Sequence, residues 1–167
     1  MGGIPQGDLR LLESETAQRL LRSRIPARMA FVWTDGTPRI VATWFHWNGS
    51  EIVSATYLAG PDAGIRHAAR RVDVLRANPA VAISIDTEAS PPESLAIRGR
   101  AEIEEIDGLA PEYLLAAERY LGTEGAAGLR AAMDKPGTRQ ARIAVRPEWV
   151  GLIDFQSRLP SPQGGVQ

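Results

Sequence analysis

Residues 27–57 decide the class of fold, and they read ARMAFVWTDGTPRIVATWFHWNGSEIVSATY. Three runs in this stretch, 27–33, 39–47 and 51–57, are rich in valine, isoleucine, threonine and aromatic residues, which favour extended backbone. Asp35-Gly36 and Asn48-Gly49 separate the runs, and such pairs are typical of tight turns between antiparallel strands. The stretch therefore predicts three strands in an antiparallel meander.

A helix is predicted on each side of these strands. Ser14 and Thr16 are candidate N-caps for a first helix that runs to about Arg24. Residues 65–78, IRHAARRVDVLRAN, carry apolar side chains at helical spacing and end in front of Pro79. In both helices the apolar side chains fall on one face.

The second half of the chain predicts further strands and a helical insertion. Residues 80–87 form a short apolar run suited to a buried strand, and residues 93–106 form a longer strand in which Gly99 marks a bulge or a close approach. Two helices follow within residues 111–133, and one or two strands around Pro147 close the domain. Hairpin connections favour a mainly β, α+β antiparallel barrel of six strands, because a parallel sheet needs a helical crossover between nearly every strand pair.

The composition bounds both the size of the domain and its environment. The 167 residues are 44% hydrophobic and 23% charged, enough for one domain, which we assign to residues 1–160. Residues 161–167 are expected to form a flexible C-terminal tail. The sequence has no apolar run of about 18 residues and no basic-then-apolar start, which favours a cytoplasmic protein without membrane contact. A net charge of −1 offers no strong field for nucleic acid.

Several kinds of chemistry are excluded by what the sequence lacks. There is no cysteine, and His46 and His67 are the two histidines, so a metal centre is not expected. The sequence contains no nucleophile elbow, phosphate-binding P-loop, dinucleotide-binding glycine motif or zinc-protease motif. His46 lies in an aromatic strand and is interpreted as a structural histidine. No side chain is assigned a catalytic role.

The arginines at the start of the second predicted helix are the strongest candidates for binding an anion. Arg70 and Arg71 follow a strand and a loop, and both helix N-termini and arginine side chains favour phosphate. The alternative is that these residues form a solvated helix face. Two interpretations are possible for Trp44 and for Trp149, because a tryptophan can pack in the core or line a site for a planar ligand. Trp44 and His46 are predicted on one strand face, and Phe45 and Trp47 on the other. One of these two faces must point away from the barrel interior, and an exposed aromatic face would suit a subunit interface or a ligand.

The order of motifs resembles a known family. GTPRIVATWFHWNG (36–49) is followed by EIVSATY (51–57), RRVDVLRANPAVAISID (70–86) and LAIRGRAEI (95–103). This order resembles the pyridoxamine 5′-phosphate oxidase-like family of flavin-binding split β-barrels, in which a basic residue, a leucine and an Asn-Pro pair precede a buried strand. The resemblance covers about residues 14–107.

The resemblance implies a homodimer of six-stranded Greek-key split barrels with peripheral helices and a flavin in each of two clefts between the subunits. By position, Arg39 and Arg71 would hold the cofactor phosphate, with help from Arg70. Trp149 on the closing strand would approach the cofactor cleft of the other subunit. The remaining residues that the resemblance assigns to the cofactor are Ile40, Val41, Ala42 and Thr43 beneath the ring, and Ser54, Ala55 and Thr56 along the third strand.

One departure from the family narrows the expected activity. Trp44 stands where the vitamin-forming oxidases have a lysine, which argues against oxidation of pyridoxine phosphate itself. The resemblance then implies a flavin-dependent oxidoreductase acting on a small organic substrate, with FMN or alternatively coenzyme F-420 as cofactor. Two alternatives remain open: a non-catalytic flavin or deazaflavin carrier of the same fold, and a barrel that has lost the cofactor and only dimerises.

Overall fold

The structure, a computed structural model, describes residues 4–60 and 66–158. Within them, antiparallel strands form one sheet in the order β2-β1-β5-β6-β7-β4-β3. The strands are β1 (Ala27–Val32), β2 (Pro38–Thr43), β3 (His46–Trp47), β4 (Ile52–Ala59), β5 (Ala80–Asp86), β6 (Glu93–Asp107) and β7 (Arg139–Asp154). The helices are α1 (Glu15–Arg22), α2 (Arg66–Ala77) and α3 (Pro111–Met133), and a 3-10 turn, Leu9–Glu13, precedes α1.

The two edges of the sheet are joined by a very short piece of chain. β2 ends at Thr43 and β3 begins at His46, yet these strands lie at opposite edges. Three residues span at most about 11 Å, whereas a flat sheet of this width would place its edges about 29 Å apart. The sheet must therefore curl until its edges approach. It remains open, because β2 and β3 do not pair, and the expected antiparallel split barrel is confirmed.

The predicted three-stranded meander is wrong in its connectivity. β1 pairs with β2 and β3 pairs with β4, but β2 does not pair with either β3 or β4. The strand predicted over residues 39–47 breaks at Trp44-Phe45, because Phe45 turns into the core and is fully buried. This break produces seven strands where six were predicted. It also overturns the prediction that Trp44 and His46 share one strand face.

Gly99 lies at the bulge that the sequence predicted. The register of β6 against β7 shifts between Arg98 and Gly99, opposite Pro147 and Trp149. A Cβ atom at Gly99 would lie 2.2 Å from the backbone oxygen of Arg146. The close approach therefore excludes a side chain, and the bulge accommodates Pro147, which cannot donate to the strand ladder.

The core fills the inner face of the curled sheet. Met29, Ile83 and Ile97 are among the buried side chains of this face, and α1 and α2 add Leu20 and Leu75. Residues 80–87 were predicted to form a buried strand, but only the side chains on one face of this strand are buried. Burial alternates along β5, so that Ala80 and Ala82 point outward and are exposed.

The remaining helical predictions agree with the structure. α3 contains one non-helical residue, Gly122, whose φ of 79° divides it into the two predicted helices. Pro111 occupies the first turn of α3, where its missing N–H costs nothing. The flexible tail predicted for residues 161–167 lies outside the described residues. No helix in the described part of the chain is long and apolar enough to cross a membrane.

We expect Gly99→Ala to destabilise the fold by about 1 to 3 kcal/mol, because its Cβ would collide with the backbone of β7. Gly128→Ala on α3 is the matched control, since a Cβ atom added at Gly128 would meet nothing within 4 Å. The control should be neutral or stabilising by up to about 1 kcal/mol. Urea unfolding of the two variants measures both values. Equal stabilities would show that the bulge tolerates a side chain.

Asp154 predicts an acid-sensitive contribution to stability. Burial alone would raise the pKa of this carboxyl, but hydrogen bonds from Ser157 and Thr16 outweigh burial and lower the pKa from 3.8 to about 2. Because the folded pKa is the lower one, the ionised carboxylate contributes about 2 kcal/mol above pH 4, and this is lost between about pH 4 and pH 2. Unfolding of Asp154→Asn should show lower stability at pH 7 and a flatter acid limb. If the free energy of unfolding falls equally between pH 4 and pH 2 in wild type and in Asp154→Asn, this contribution is ruled out.

Candidate functional site

Arg71 is a partly buried cation that forms no hydrogen bond or ion pair with any of the residues that the structure describes. It lies on α2, which packs against β4 and β6, and its Nε is shielded from solvent with no hydrogen-bond acceptor in the described part of the chain. Burial lowers the pKa of the Arg71 guanidinium. Arg142 shows the usual arrangement, with two hydrogen bonds of 2.9 and 2.8 Å to Glu112. A charge removed from water needs such compensation, so Arg71 is suited to hold an anionic group.

Two buried hydroxyl groups lie on the strand against which α2 packs. Ser54 and Thr56 are each 7% exposed and share the inner face of β4 with Ile52. Ala55 lies between them and points to the other face, as alternation along a strand requires. Ser54 and Thr56 can therefore offer side chains to the same ligand, whereas Ala55 can contribute only its backbone there.

Arg39 and Arg70 lie at one corner of the molecule, around Trp33. The Arg39 guanidinium is 5.9 Å from the centre of the Trp33 ring. Arg70 and Trp33 line the same cleft of about 320 Å³, together with Asp73. Arg70 is exposed while its neighbour Arg71 is partly buried. The structure thus gathers Arg39 and Arg70, and it directs Arg71 toward the body of the protein.

Arg39 already has partners within its own turn. It forms an ion pair of 3.2 Å with Asp35 and donates a hydrogen bond to Thr37. All three side chains are exposed, and an exposed ion pair of this kind is worth at most about 1 kcal/mol. Arg39 can therefore exchange Asp35 for a more highly charged anion at low cost.

The residues predicted beneath a cofactor ring alternate between the two faces of β2. Val41 and Thr43 point inward, and Val41 packs against the core. Ile40 and Ala42 point outward, and Ile40 is 65% exposed. β2 is an edge strand with one paired neighbour, so its backbone is also accessible to a ligand.

The outer face of the sheet carries an apolar patch around Ile40, beside the ion pair of Arg28 with Asp86. One row across five strands contains Ile40, Ala30, Ala82, Arg98 and Trp149 in register. The alanines beside Ile40 leave a shallow cleft of about 390 Å³. A sheet face in contact with water normally carries polar side chains, so this face is suited to be covered by another surface.

Trp149 belongs to the outer face and not to the barrel core. Its indole packs on Gly151 and Gly7, where added Cβ atoms would lie 2.5 and 2.8 Å from the ring. The Arg98 guanidinium stacks 4.1 Å from the ring centre. The sequence singled out Trp149 but missed Arg98, although its place between inward-pointing residues of β6 already marked it as outward-pointing. Trp149 and Arg98 together form an aromatic and cationic edge beside the apolar face.

His46 lies apart from the group around Arg71, in a cleft formed by α1, α3 and the turn between β3 and β4. Burial lowers the pKa of its imidazole, and the nearby Arg119 lowers the pKa further. Arg119 was not singled out by the sequence, since its position on α3 shows no distinguishing pattern. Among the described residues there is no cluster of three side chains that could hold a metal ion.

The sequence matches neither a protein-family model nor a curated protein, but solved structures resemble this fold. An F-420 reductase is 27% identical with a TM-score of 0.57, over 80% of this chain and 94% of that one. A protein related to general stress protein 26, of the pyridoxinephosphate oxidase family, from Clostridium acetobutylicum is 16% identical with a TM-score of 0.52, over 86% and 87%. A heme storage protein from Vibrio cholerae is 19% identical with a TM-score of 0.54, over 81% and 89%.

These structures share an architecture while their names indicate different ligands. The fold alone therefore does not select a cofactor. The bulge at Gly99, the curled antiparallel sheet and the helix in front of Asn78-Pro79 occur in the order that the motifs predicted. The chain therefore has the split β-barrel fold that it shares with the F-420 reductase and with pyridoxamine 5′-phosphate oxidase-like proteins, as the order of motifs predicted.

Proposed function

We propose that this chain binds a phosphorylated flavin-type cofactor, FMN or coenzyme F-420, and uses it to oxidise or reduce a small organic molecule. The unpartnered Nε of Arg71 is the observation that carries the proposal. An arginine in this state is destabilising until an anion compensates it. A cofactor phosphate supplies that anion.

The surroundings of Arg71 suit a phosphate group. Arg71 lies in the second turn of α2, close to the end of the helix whose free N–H groups favour anions. α2 packs against β4, on which Ser54 and Thr56 provide hydroxyl donors. Arg39 and Arg70 add positive charge at the neighbouring corner around Trp33. Charge-assisted hydrogen bonds from such groups are about twice as strong as neutral ones.

The ring of the cofactor would lie along β2. The accessible edge of β2 offers backbone groups between Ile40 and Thr43, and the small side chain of Ala42 leaves room for a flat ring. When bound, the ring supplies the hydride-transfer chemistry. The protein then holds the ring and keeps water away from it. None of the residues assigned to the cofactor is a carboxylate or an imidazole, so the proposal places no proton transfer on them.

We further propose that the functional unit is a homodimer formed through the outer face of the sheet. Ile40, Ala30 and Ala82 would be covered by a second copy of the chain. Trp149 and Arg98 lie at the edge of the same face. A dimer through this face would bring these two side chains of one copy next to β2 of the other, which completes the cleft for the ring.

A second candidate function is cofactor binding without catalysis. None of the residues assigned to the cofactor is an acid or a base. This favours binding without catalysis as much as it favours catalysis in which the ring alone carries the chemistry. The two functions use the same residues. They are distinguished by whether the bound cofactor is turned over when an organic acceptor is supplied.

Cofactor titration of Arg71→Ala tests the proposed phosphate site. The variant should bind FMN or F-420 about 10- to 100-fold more weakly than wild type, because charge-assisted hydrogen bonds to the phosphate are lost. Absorbance and fluorescence quenching measure the binding. Arg130→Ala is the matched control, since Arg130 is exposed on α3, and it should bind like wild type.

The stability of the cofactor-free protein gives a second readout for the same site. Loss of the Arg71 charge should weaken cofactor binding but stabilise the fold. Arg71→Met retains the length of the side chain and removes a charge that lacks compensation, so it should raise the melting temperature of the cofactor-free protein. Wild-type affinity of Arg71→Ala for both cofactors would return Arg71 to a structural role. Failure of wild type to bind either cofactor would refute the proposed function.

Light scattering tests the proposed dimer. Wild type should have twice the chain mass of 18.1 kDa, because dimers of this kind bury more than about 2,000 Å² of surface. Ile40→Glu places a charge on the outer face and should shift the mass to that of a monomer. Leu121→Glu makes the same kind of change on α3, where Leu121 is 44% exposed, and should remain dimeric. A monomeric wild type at micromolar concentration would exclude the shared cleft.

A further inference from the structure

A second cavity lies away from the residues assigned to the cofactor. It is formed by α1, α3 and the turn between β3 and β4, and its volume is about 570 Å³. It is larger than the clefts beside Trp33 and on the outer face of the sheet. This volume falls within the range of small-molecule sites. Apolar side chains (Leu21, Trp47, Leu115) and polar side chains (Gln18, Arg22, His46, Asn48, Arg119) line it together.

Two positive charges line this cavity without a counter-ion. Arg119 donates hydrogen bonds to the backbone oxygens of Leu21, at 2.9 Å, and of Phe45. Arg22 donates to the side-chain oxygen of Gln18 at 3.0 Å. Neither arginine forms an ion pair with a described residue. All these partners are neutral, so no described carboxylate neutralises either charge: Arg22 is exposed to solvent, whereas Arg119 is partly buried.

Glu112, an acidic side chain on the same face of α3, is already engaged in an ion pair. Glu112 lies on the face of α3 that carries Leu115 and Arg119, and it binds Arg142 at 2.8 Å. Arg142 also lies 3.6 Å from Glu51. This pairing leaves no carboxylate among the residues that line the cavity. The cavity therefore presents a positive potential next to an apolar wall.

His46 adds a neutral polar group to the lining. No hydrogen bond joins its imidazole to a residue in the described ranges. Burial lowers its pKa, the charge of Arg119 lowers it further, and Glu112 acts in the opposite direction. The lowered pKa favours the uncharged imidazole. The imidazole can donate or accept a hydrogen bond inside the cavity.

We propose that this cavity binds a small organic monocarboxylate with a flat hydrophobic body. The body lies against Trp47 and Leu115, and the carboxylate faces Arg22 and Arg119. Trp47 offers the broad apolar surface that a ring requires.

A carboxylate fits this cavity better than a phosphate because of the donors that remain. Arg119 has committed hydrogen bonds to two backbone carbonyls, and its Nε is buried. Arg119 can therefore offer a ligand its positive charge but few hydrogen-bond donors. A phosphate has more acceptor oxygens and more charge to satisfy than these residues supply, whereas one carboxylate is matched by Arg22 and the imidazole of His46. This inference does not depend on the proposed cofactor.

The two histidines of the chain allow a direct test by NMR. His67→Gln leaves His46 as the remaining imidazole, so its carbon-bound proton signals are assigned without ambiguity. Benzoate is the probe, benzyl alcohol is its uncharged match, and inorganic phosphate is an anion without a hydrophobic body. Benzoate should shift the His46 signals in a saturable way and raise the pKa of His46 by about half a unit, because a nearby anion favours the imidazolium form.

The variants separate binding in the cavity from general effects of charge. Arg22→Gln should weaken benzoate binding about fivefold or more, and Arg22 is exposed enough for the fold to tolerate the change. Arg130→Gln removes the same charge elsewhere and should leave binding unchanged. Arg119 stays intact because it anchors α1 and Phe45. An equal response to benzyl alcohol, tighter binding of phosphate, an unmoved His46 signal or wild-type affinity in Arg22→Gln would each overturn the proposal.

Discussion

The link Trp44-Phe45 between the two edges of the sheet is the constraint on which the rest of the structure depends. It forces the sheet to curl, because the strands that it joins are neighbours in sequence and opposite edges in the sheet. Phe45 is buried in the core that the curl encloses, and the Arg119 guanidinium stacks 4.5 Å from its ring. Tyr120 stacks on Trp44 at 5.1 Å. α3 thus holds the link from the outside while the core holds it from the inside.

A carboxylate partner distinguishes a structural arginine from an arginine that is a candidate for binding a ligand. Arg142 lies between Glu112 and Glu51 and completes a closed network. Arg71, Arg119 and Arg158 each have a buried Nε without an acceptor among the described residues. Arg119 and Arg158 donate other hydrogen bonds to backbone carbonyls, whereas Arg71 donates none to a described residue. The high arginine content of the chain carries little information by itself. An uncompensated guanidinium in a partly dry environment does, because its desolvation must be offset by some anion.

The same curl determines which surfaces remain for function. Curling encloses one face of the sheet and leaves the other face outside. Along β1, β2 and β5 that outer face carries an apolar patch of alanine, valine and isoleucine beside the ion pair of Arg28 with Asp86. A single copy of the chain has no element to cover it within the described residues. In the dimer that we propose, a second copy covers this face, and the edge formed by Trp149 and Arg98 meets the accessible backbone of β2. The cavity around His46 lies on the side where α1 and α3 pack, away from this face.

The sequence by itself determined the local elements and several special positions. Periodicity located the helices and most strands, Gly99 marked the bulge, and Gly122 divided α3, because these signals act between residues close in sequence. Motif order pointed to Arg71 as a phosphate ligand, and the structure places this residue partly buried on α2. Sequence did not determine that Trp44-Phe45 interrupts a strand, that Arg39 meets Trp33, or that Arg119 lies beside His46. Those features depend on contacts between distant segments, and only the packing of the curled sheet against its helices decided them.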